Sequence, residues 1–315
     1  MKPFPKSGRP RAVMLSKRAN IFYLERCKVM QRNEAVVYLT DTGQEIERYF
    51  NIPDKNTLFI LLGTGTSITN AAIRKLSESN VVIGFCGGGG SPLAASVDAT
   101  FILPQDEYRP TEYAQAWFEK WMSDEKRLEL GKALLRKRIE WTTKAWRHNG
   151  VEIPDQLVDE IYSVKESSRT TTDILLAEAQ WAKKLYAILA KHHAISFSRK
   201  EGQGLSEDAP QTINRLIDHG NYLAYGYAAI VLHGLGIPFS LPILHGKTRR
   251  GGLVFDIADL VKDQLVLPTA FEMGSEGSTK KLDRKFRGSI IESADSGNMV
   301  DHLFDTVREL AIKNL

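Results

Sequence analysis

The chain has 315 residues, 43% of them hydrophobic, with 42 Lys and Arg against 38 Asp and Glu for a formal net charge of +4. A chain of this length buries roughly three quarters of the surface its unfolded form exposes, so it needs no covalent staple to fold. Its two cysteines, Cys27 and Cys86, stand alone, which excludes a CxxC redox pair, a zinc knuckle and a secreted disulfide framework.

Residues 1–11 are basic and contain proline but lead into no apolar h-region, and no later stretch is apolar enough to span a bilayer. The expectation is a soluble cytoplasmic protein with no membrane contact. Its modest positive charge permits nucleic-acid binding without demanding it. Distribution says more than the total: positive charge gathers over 126–147 and again over 280–287.

Short strand-like runs at 20–25, 35–40 and 58–62, punctuated by turn residues at 32–33 and 41–43, make residues 1–103 read as a small mixed β-sheet domain. Prolines flanking polar residues mark 104–112 as a linker. From 113 to 315 helical periodicity takes over, with helices expected over 111–123, 126–149, 172–193, 211–235, 253–263 and 295–314. The fold class expected is α+β, a small N-terminal β-sheet domain followed by a mainly α-helical one. Residues 163–172 and 272–288 are polar and aperiodic, and are expected to be mobile loops.

Residues 58–69 followed by 81–85 read locally as strand, glycine turn, helix, strand, the outline of a dinucleotide site. The third glycine of G-x-G-x-x-G would fall at Ile68, and Phe85, Cys86 and Gly87 supply no acid to hold a ribose. That reading is rejected. Gly87 to Gly90 is read as a tight exit turn rather than an anion-holding nest.

Glu178 sits among Ile174, Trp181, Ala182 and Leu185 at helical spacing, which puts a carboxylate on or beside the core-facing stripe. A carboxylate there must be neutralised, hydrogen-bonded or bound to a cation. The alternative places it at the stripe's edge, in solvent or beside Lys183 or Lys184. His245 closes the apolar run 237–244 just before Gly246, which suits a ligand at the end of a buried extended segment, although a lone histidine in such a place is more often a hydrogen-bonded structural residue. Asp256 and Asp259 are three apart on one helix face and can point together, or form a solvated stripe with Asp263. Carboxylate and imidazole groups without thiolates favour Mg²⁺ or Mn²⁺, and an open site of that kind suits phosphodiester chemistry. Lys247, Arg249 and Arg250 follow the histidine, where they are candidates to neutralise phosphate oxygens.

The segments 175–186 and 245–263 resemble CRISPR-associated protein one, and 63–69, 85–90, 107–113 and 220–226 resemble its subtype I-F, so the similarity covers nearly the whole chain. The resemblance implies an N-terminal β domain, a C-terminal α-helical catalytic domain and a homodimer. It implies a divalent ion held by Glu178, His245 and Asp259, with Asp256 in a supporting catalytic role. The activity implied is metal-dependent insertion of spacers into a CRISPR array, with cleavage of double-stranded and branched DNA by the same site. A second, smaller adaptation protein, fused in subtype I-F to the helicase-nuclease, is the implied partner.

The helix over 126–149, bearing Arg127, Lys132, Arg136, Arg138 and Arg147, is the candidate phosphate-tracking surface, with a basic loop carrying Lys280, Lys281, Arg284, Lys285 and Arg287 as a second. A solvated helix face is the alternative for the first. Two functional rivals stand beside the integrase: a DNA-binding scaffold without catalysis, and a metallohydrolase of a small phosphorylated substrate, which calls for a deep enclosed pocket.

Overall fold

A computed structural model of the protein describes residues 20–40, 49–79, 81–85, 100–102, 111–201, 208–246, 251–277 and 281–313. The fold is α+β, with short strands in the N-terminal part and helices through the remainder. It comprises two compact units, one from the described residues of Met1–Gly84 and Phe101–Glu107, the other from those of Phe85–Thr100 and Tyr108–Leu315. The linker expected over 104–112 lies mostly outside the described residues.

The N-terminal elements are β1 (Asn20–Leu24), β2 (Cys27–Arg32), β3 (Ala35–Thr40), β4 (Tyr49–Ile52), β5 (Thr57–Leu62), β6 (Ser67–Ile68), α1 (Asn70–Glu78), β7 (Val82–Phe85) and β8 (Thr100–Ile102). They form two four-stranded sheets, in the orders β1-β5-β7-β8 and β4-β3-β2-β6. Every residue of β5 is buried, as a strand flanked on both edges and covered on both faces requires. Strands β2 and β3 pair antiparallel from Cys27 with Thr40 to Arg32 with Ala35, and Asn33 turns the hairpin at φ 55°, a left-handed conformation that asparagine tolerates.

The glycine turn after β5 is tied back onto the β1–β2 corner: Gly63 N–H donates to Leu24 O at 2.8 Å and Arg26 N–H to Thr64 O at 3.1 Å. A Cβ on Gly63 would lie 2.7 Å from Glu25 Cγ and from the Tyr23 hydroxyl. A side chain at this position would displace Glu25 or Tyr23, so the close approach of the turn to β1 requires glycine here. Gly87 to Gly90 lie outside the described residues.

The second unit contains α2 (Glu112–Trp121), α3 (Asp124–His148), α4 (Asp155–Ser167), α5 (Thr171–His192), α6 (Ala209–Gly234), α7 (Gly252–Val261), a π-helical segment (Lys262–Val266), α8 (Leu267–Gly274), α9 (Leu282–Ser296) and α10 (Met299–Ile312). Helix α6 is buried on most of its faces, and α7, α8, α9 and α10 pack around it. Helix α3 lies against α5, α7 and the π-helical segment. Trp146 and Trp181 are sealed in the core that α3, α5, α6, α8 and α9 share.

Three expected elements differ. The loop over 163–172 is mostly helix: α4 runs to Ser167 and α5 starts at Thr171. The polar residues there close the join, since Thr170 and Asp173 form a reciprocal capping box. The loop over 272–288 is replaced by α9 from Leu282, where Leu282, Phe286, Ile290 and Ala294 make a narrow buried stripe at four-residue spacing. So few apolar positions in so polar a stretch hid its period. The helix over 253–263 is α7 followed at Lys262 by the π-helical segment, a wider turn frequent at functional sites.

Gly220 shows how tightly α6 is packed: a Cβ there would lie 2.3 Å from Val266 Cγ1 and 3.1 Å from the Phe286 ring. Gly288, within α9, has nothing within 4 Å of an added Cβ. Gly220→Ala is expected to lower stability by about 1–3 kcal/mol through overpacking. Gly288→Ala is expected to raise it by about 0.5–1 kcal/mol through helix propensity. Equilibrium denaturant unfolding of both variants checks the pair.

Candidate metal centre

Helix α3 supplies the first charge of the site. Its buried positions Leu130, Leu134, Arg138, Thr142 and Trp146 repeat every four residues, so Arg138 falls in the middle of the stripe that faces the core. Across from it, α5 presents Glu178 among Ile174, Ala177, Trp181 and Leu185. Helix α7 and the π-helical segment bring Asp256, Asp259 and Asp263, all at most 5% exposed. The solvated-stripe reading of these aspartates is thereby corrected: all of α7 is buried.

Arg138 Nη1 forms an ion pair with Glu178 Oε1 at 2.6 Å and donates to Asp259 Oδ2 at 3.2 Å. Its Nε and Nη2 fork onto Asp263 Oδ2 and Oδ1 at 2.5 and 3.0 Å. Asp263 is fixed from the other side, where Trp181 Nε1 donates to Oδ2 at 3.0 Å and Trp146 Nε1 to the main-chain carbonyl at 2.8 Å. Lys262 Nζ pairs with Asp259 Oδ1. Such charge-assisted, bidentate bonds are the strong ones.

His245 arrives by a different route. The chain from Ile237 to His245 is irregular rather than an extended strand, and Asp256 holds its end in place. Asp256 accepts from Ile243 N–H at 2.6 Å, from Leu244 N–H at 3.2 Å and from His245 N–H at 3.2 Å, and its Oδ1 lies 2.8 Å from His245 Nδ1. Trp117 and Trp121 donate their indole N–H to Leu241 O and Pro242 O at 3.1 and 2.9 Å. A proton on Nδ1 facing the carboxylate leaves Nε2 as the free ligand nitrogen.

Glu178, His245 and Asp259 each offer a ligand atom, and these atoms lie within 4.8 Å of one another. Asp256 belongs to a second layer, aimed at the histidine turn rather than into this cluster, so the supporting role suggested for it is one of positioning. Burial first, then the neighbouring Asp259 carboxylate, raises the Glu178 carboxyl to about 7. Burial would raise Asp259 too, but Lys262 and Arg138 pull it well below the usual carboxylate range. Burial opposes charge on His245, yet its bond to Asp256 raises the ring above its ordinary value.

Glu178 Oε2 is buried and makes no hydrogen bond, which is costly without a cation or proton. Glu178, Asp259 and Asp263 face two fixed cations, Arg138 and Lys262. Hard oxygen donors, one imidazole and an acid surplus fit a Mg²⁺ or Mn²⁺ ion.

The remaining predicted residues scatter. At about 100° per residue, Lys132, Arg136 and Arg147 share one side of α3 while Arg127 and Arg138 lie on the other. Arg138 is therefore corrected from a phosphate-tracking residue to a buried partner of the carboxylates, because it stands on the apolar stripe. Arg136 and Arg147 are exposed, Lys132 pairs with Glu129 at 3.0 Å, and Arg127 pairs with Asp124 over the Trp121 ring. Lys281, Arg284 and Lys285 are exposed at the start of α9 and Arg287 is half-buried there, on a helix and not a loop. Lys247, Arg249, Arg250 and Lys280 lie outside the described residues. Sequence reasoning missed Arg138, Lys262 and Asp263 as members of the site; the four-residue repeat through Arg138 was the available signal.

A helical unit gathers a histidine and acids from three separate segments around one buried point, the donor set of a candidate metal site. The family profile described as CRISPR associated protein Cas1 matches residues 23–292, and the chain belongs to that family. It is 40% identical to the CRISPR-associated endonuclease Cas1 of Pectobacterium atrosepticum, over 96% of this chain and 95% of the relative. In fold it is similar to a TtCas1–DNA complex, with TM-score 0.66 and 20% identity over 94% of this chain and 92% of the other. It is likewise similar to a casposase bound to integration product, with TM-score 0.73 and 15% identity over 93% and 91%.

Two outcomes test the site. Because folding raises Glu178 from 4.5 to about 7, the folded state binds the extra proton. Its stabilising contribution is full below the unfolded value and is lost as pH rises through about 7. Melting temperatures of metal-free protein should therefore fall over that interval, and Glu178→Gln should flatten the slope. Asp256→Ala should weaken Mn²⁺ binding about 10- to 100-fold by calorimetry, since the histidine loses its orienting partner.

Proposed function

We propose that this protein is a divalent-metal-dependent DNA integrase and endonuclease that inserts spacers at the leader–repeat end of a CRISPR array. The observation that carries the reading is the convergence of Glu178, His245 and Asp259 within 4.8 Å. Glu178 and Asp259, with His245 Nε2, would hold Mg²⁺ or Mn²⁺, which when bound polarises a phosphodiester and acidifies a hydroxyl. Membership of the Cas1 family and similarity to a relative named an endonuclease support DNA as the substrate. Fold similarity to a casposase bound to integration product supports strand transfer as the reaction.

The reaction is a transesterification. The incoming 3′-oxygen bonds to phosphorus as the old phosphorus–oxygen bond to the leader breaks, leaving a new 3′-hydroxyl. Phosphodiester bonds are conserved, so no nucleotide cofactor is consumed. The reverse reaction releases the inserted strand, and water in place of the 3′-hydroxyl nicks double-stranded or branched DNA.

The chain's own part is positional. Asp256 keeps His245 Nδ1 protonated and Nε2 turned away from it, while Arg138 and Lys262 keep Glu178 and Asp259 in place. Arg136, Arg147 and the exposed residues opening α9 are candidates for phosphate contact.

A cavity of about 1520 Å³ lies along the C-terminal half of α3 and includes none of Glu178, His245 and Asp259 in its lining. The choice of DNA over a small phosphorylated substrate rests on the family and the named relative. No helix among the described residues is long and apolar enough to cross a membrane. A homodimer, working in the cytoplasm with a second adaptation protein fused to the helicase-nuclease as in subtype I-F, completes the proposal.

Glu178→Ala, His245→Ala and Asp259→Ala should each leave a folded, DNA-binding protein that joins no strands. The assay uses supercoiled plasmid carrying leader and repeat, with Mg²⁺ or Mn²⁺. Full joining by the triple variant overturns the proposal.

A further inference from the structure

Arg138 is only 7% exposed in its side chain, yet it contacts carboxylates from α5, α7 and the π-helical segment. One nitrogen, Nη1, pairs with both Glu178 and Asp259, the two acids of the candidate metal centre. Its other nitrogens grip Asp263, which Trp181 holds in turn. The guanidinium is thus fixed against the metal-binding carboxylates and cannot be displaced without breaking a core network. It nevertheless leaves Glu178 Oε2 without a partner.

We propose that Arg138 is a resident cation of the metal centre. It holds Glu178 and Asp259 together before an ion arrives, and its charge sets how tightly a divalent ion then binds. The inference rests on the metal-centre reading above. Without the guanidinium, Glu178, Asp259 and Asp263 would face one another with Lys262 as the one fixed cation among the described residues of the cluster. Buried like charges at such range repel strongly, and a divalent ion would relieve them. With it, the site is assembled in advance and folding does not wait for metal. The same charge opposes the ion at short range and keeps affinity moderate.

The test compares the full-length wild type with Arg138→Met, which keeps side-chain length and removes the charge. Melting temperature is read in chelator and in excess Mn²⁺, and Mn²⁺ affinity by calorimetry. The wild type should be folded in chelator and gain a modest increment from Mn²⁺. Arg138→Met should melt well below it in chelator, recover a larger increment, and bind Mn²⁺ on the order of tenfold more tightly. An equal drop with and without Mn²⁺, at unchanged affinity, shows that Arg138 only packs and overturns the proposal.

If the wild type gains nothing from Mn²⁺, the metal-centre reading fails, a result distinct from equal gains in both proteins. Should Arg138→Met not be recovered folded in either condition, Arg138→Gln decides. It keeps polar hydrogen-bond donors without the charge, so its gain from Mn²⁺ should exceed the wild type's. An equal gain overturns the proposal.

Discussion

Carboxylates buried together are tolerated only where cations reach them, and that requirement organises the helical unit. Glu178 on α5, Asp259 on α7 and Asp263 on the π-helical segment would repel one another out of contact. Arg138 on α3 meets all three. The helices that surround the site are therefore registered by charge as well as by packing. Apolar contacts alone would tolerate sliding of one helix past another. A fork on Asp263, fixed by two tryptophan indoles, restricts that freedom.

A second carboxylate constraint delivers the histidine. The segment before His245 has no regular hydrogen-bonding pattern of its own, and Asp256 substitutes for one by accepting from three successive backbone amides. The same carboxylate meets the imidazole. Backbone position and ring orientation are thus fixed by one side chain, while Trp117 and Trp121 anchor the preceding carbonyls. Asp256 and Asp259 lie three apart on one helix yet act on different partners, one on the turn and one on the cluster. A single buried helix joins the two layers of the site.

The charge balance links this architecture to the proposed chemistry. Arg138 and Lys262 neutralise much of the acid charge without extinguishing it, and Glu178 retains an unpartnered oxygen. In the proposed function such a centre would take up a divalent ion while remaining assembled in its absence. Family membership places such a centre in a protein fold that is also found bound to DNA and to an integration product. The basic residues of α3 divide accordingly: Arg136 and Arg147 face solvent, and Arg138 faces the core.

Much was legible in the sequence. Alternation and turn residues located β1, β3 and β5, periodicity located α3, α5 and α6, and apolar neighbours at helical spacing marked Glu178 as a carboxylate on or beside the core, leaving solvent at the stripe's edge as the alternative that its burial removes. The resemblance supplied the grouping of Glu178, His245 and Asp259. What only tertiary structure decided was which charges meet. Arg138 reads locally as one of several basic residues on a long helix, and Asp263 as one of a stripe of acids. Their roles depend on contacts across 125 positions of chain, and local pattern carries no information about partners so distant. The helix α9 stayed hidden for a related reason: its narrow stripe becomes a signal only when α6 and α8 are there to bury it.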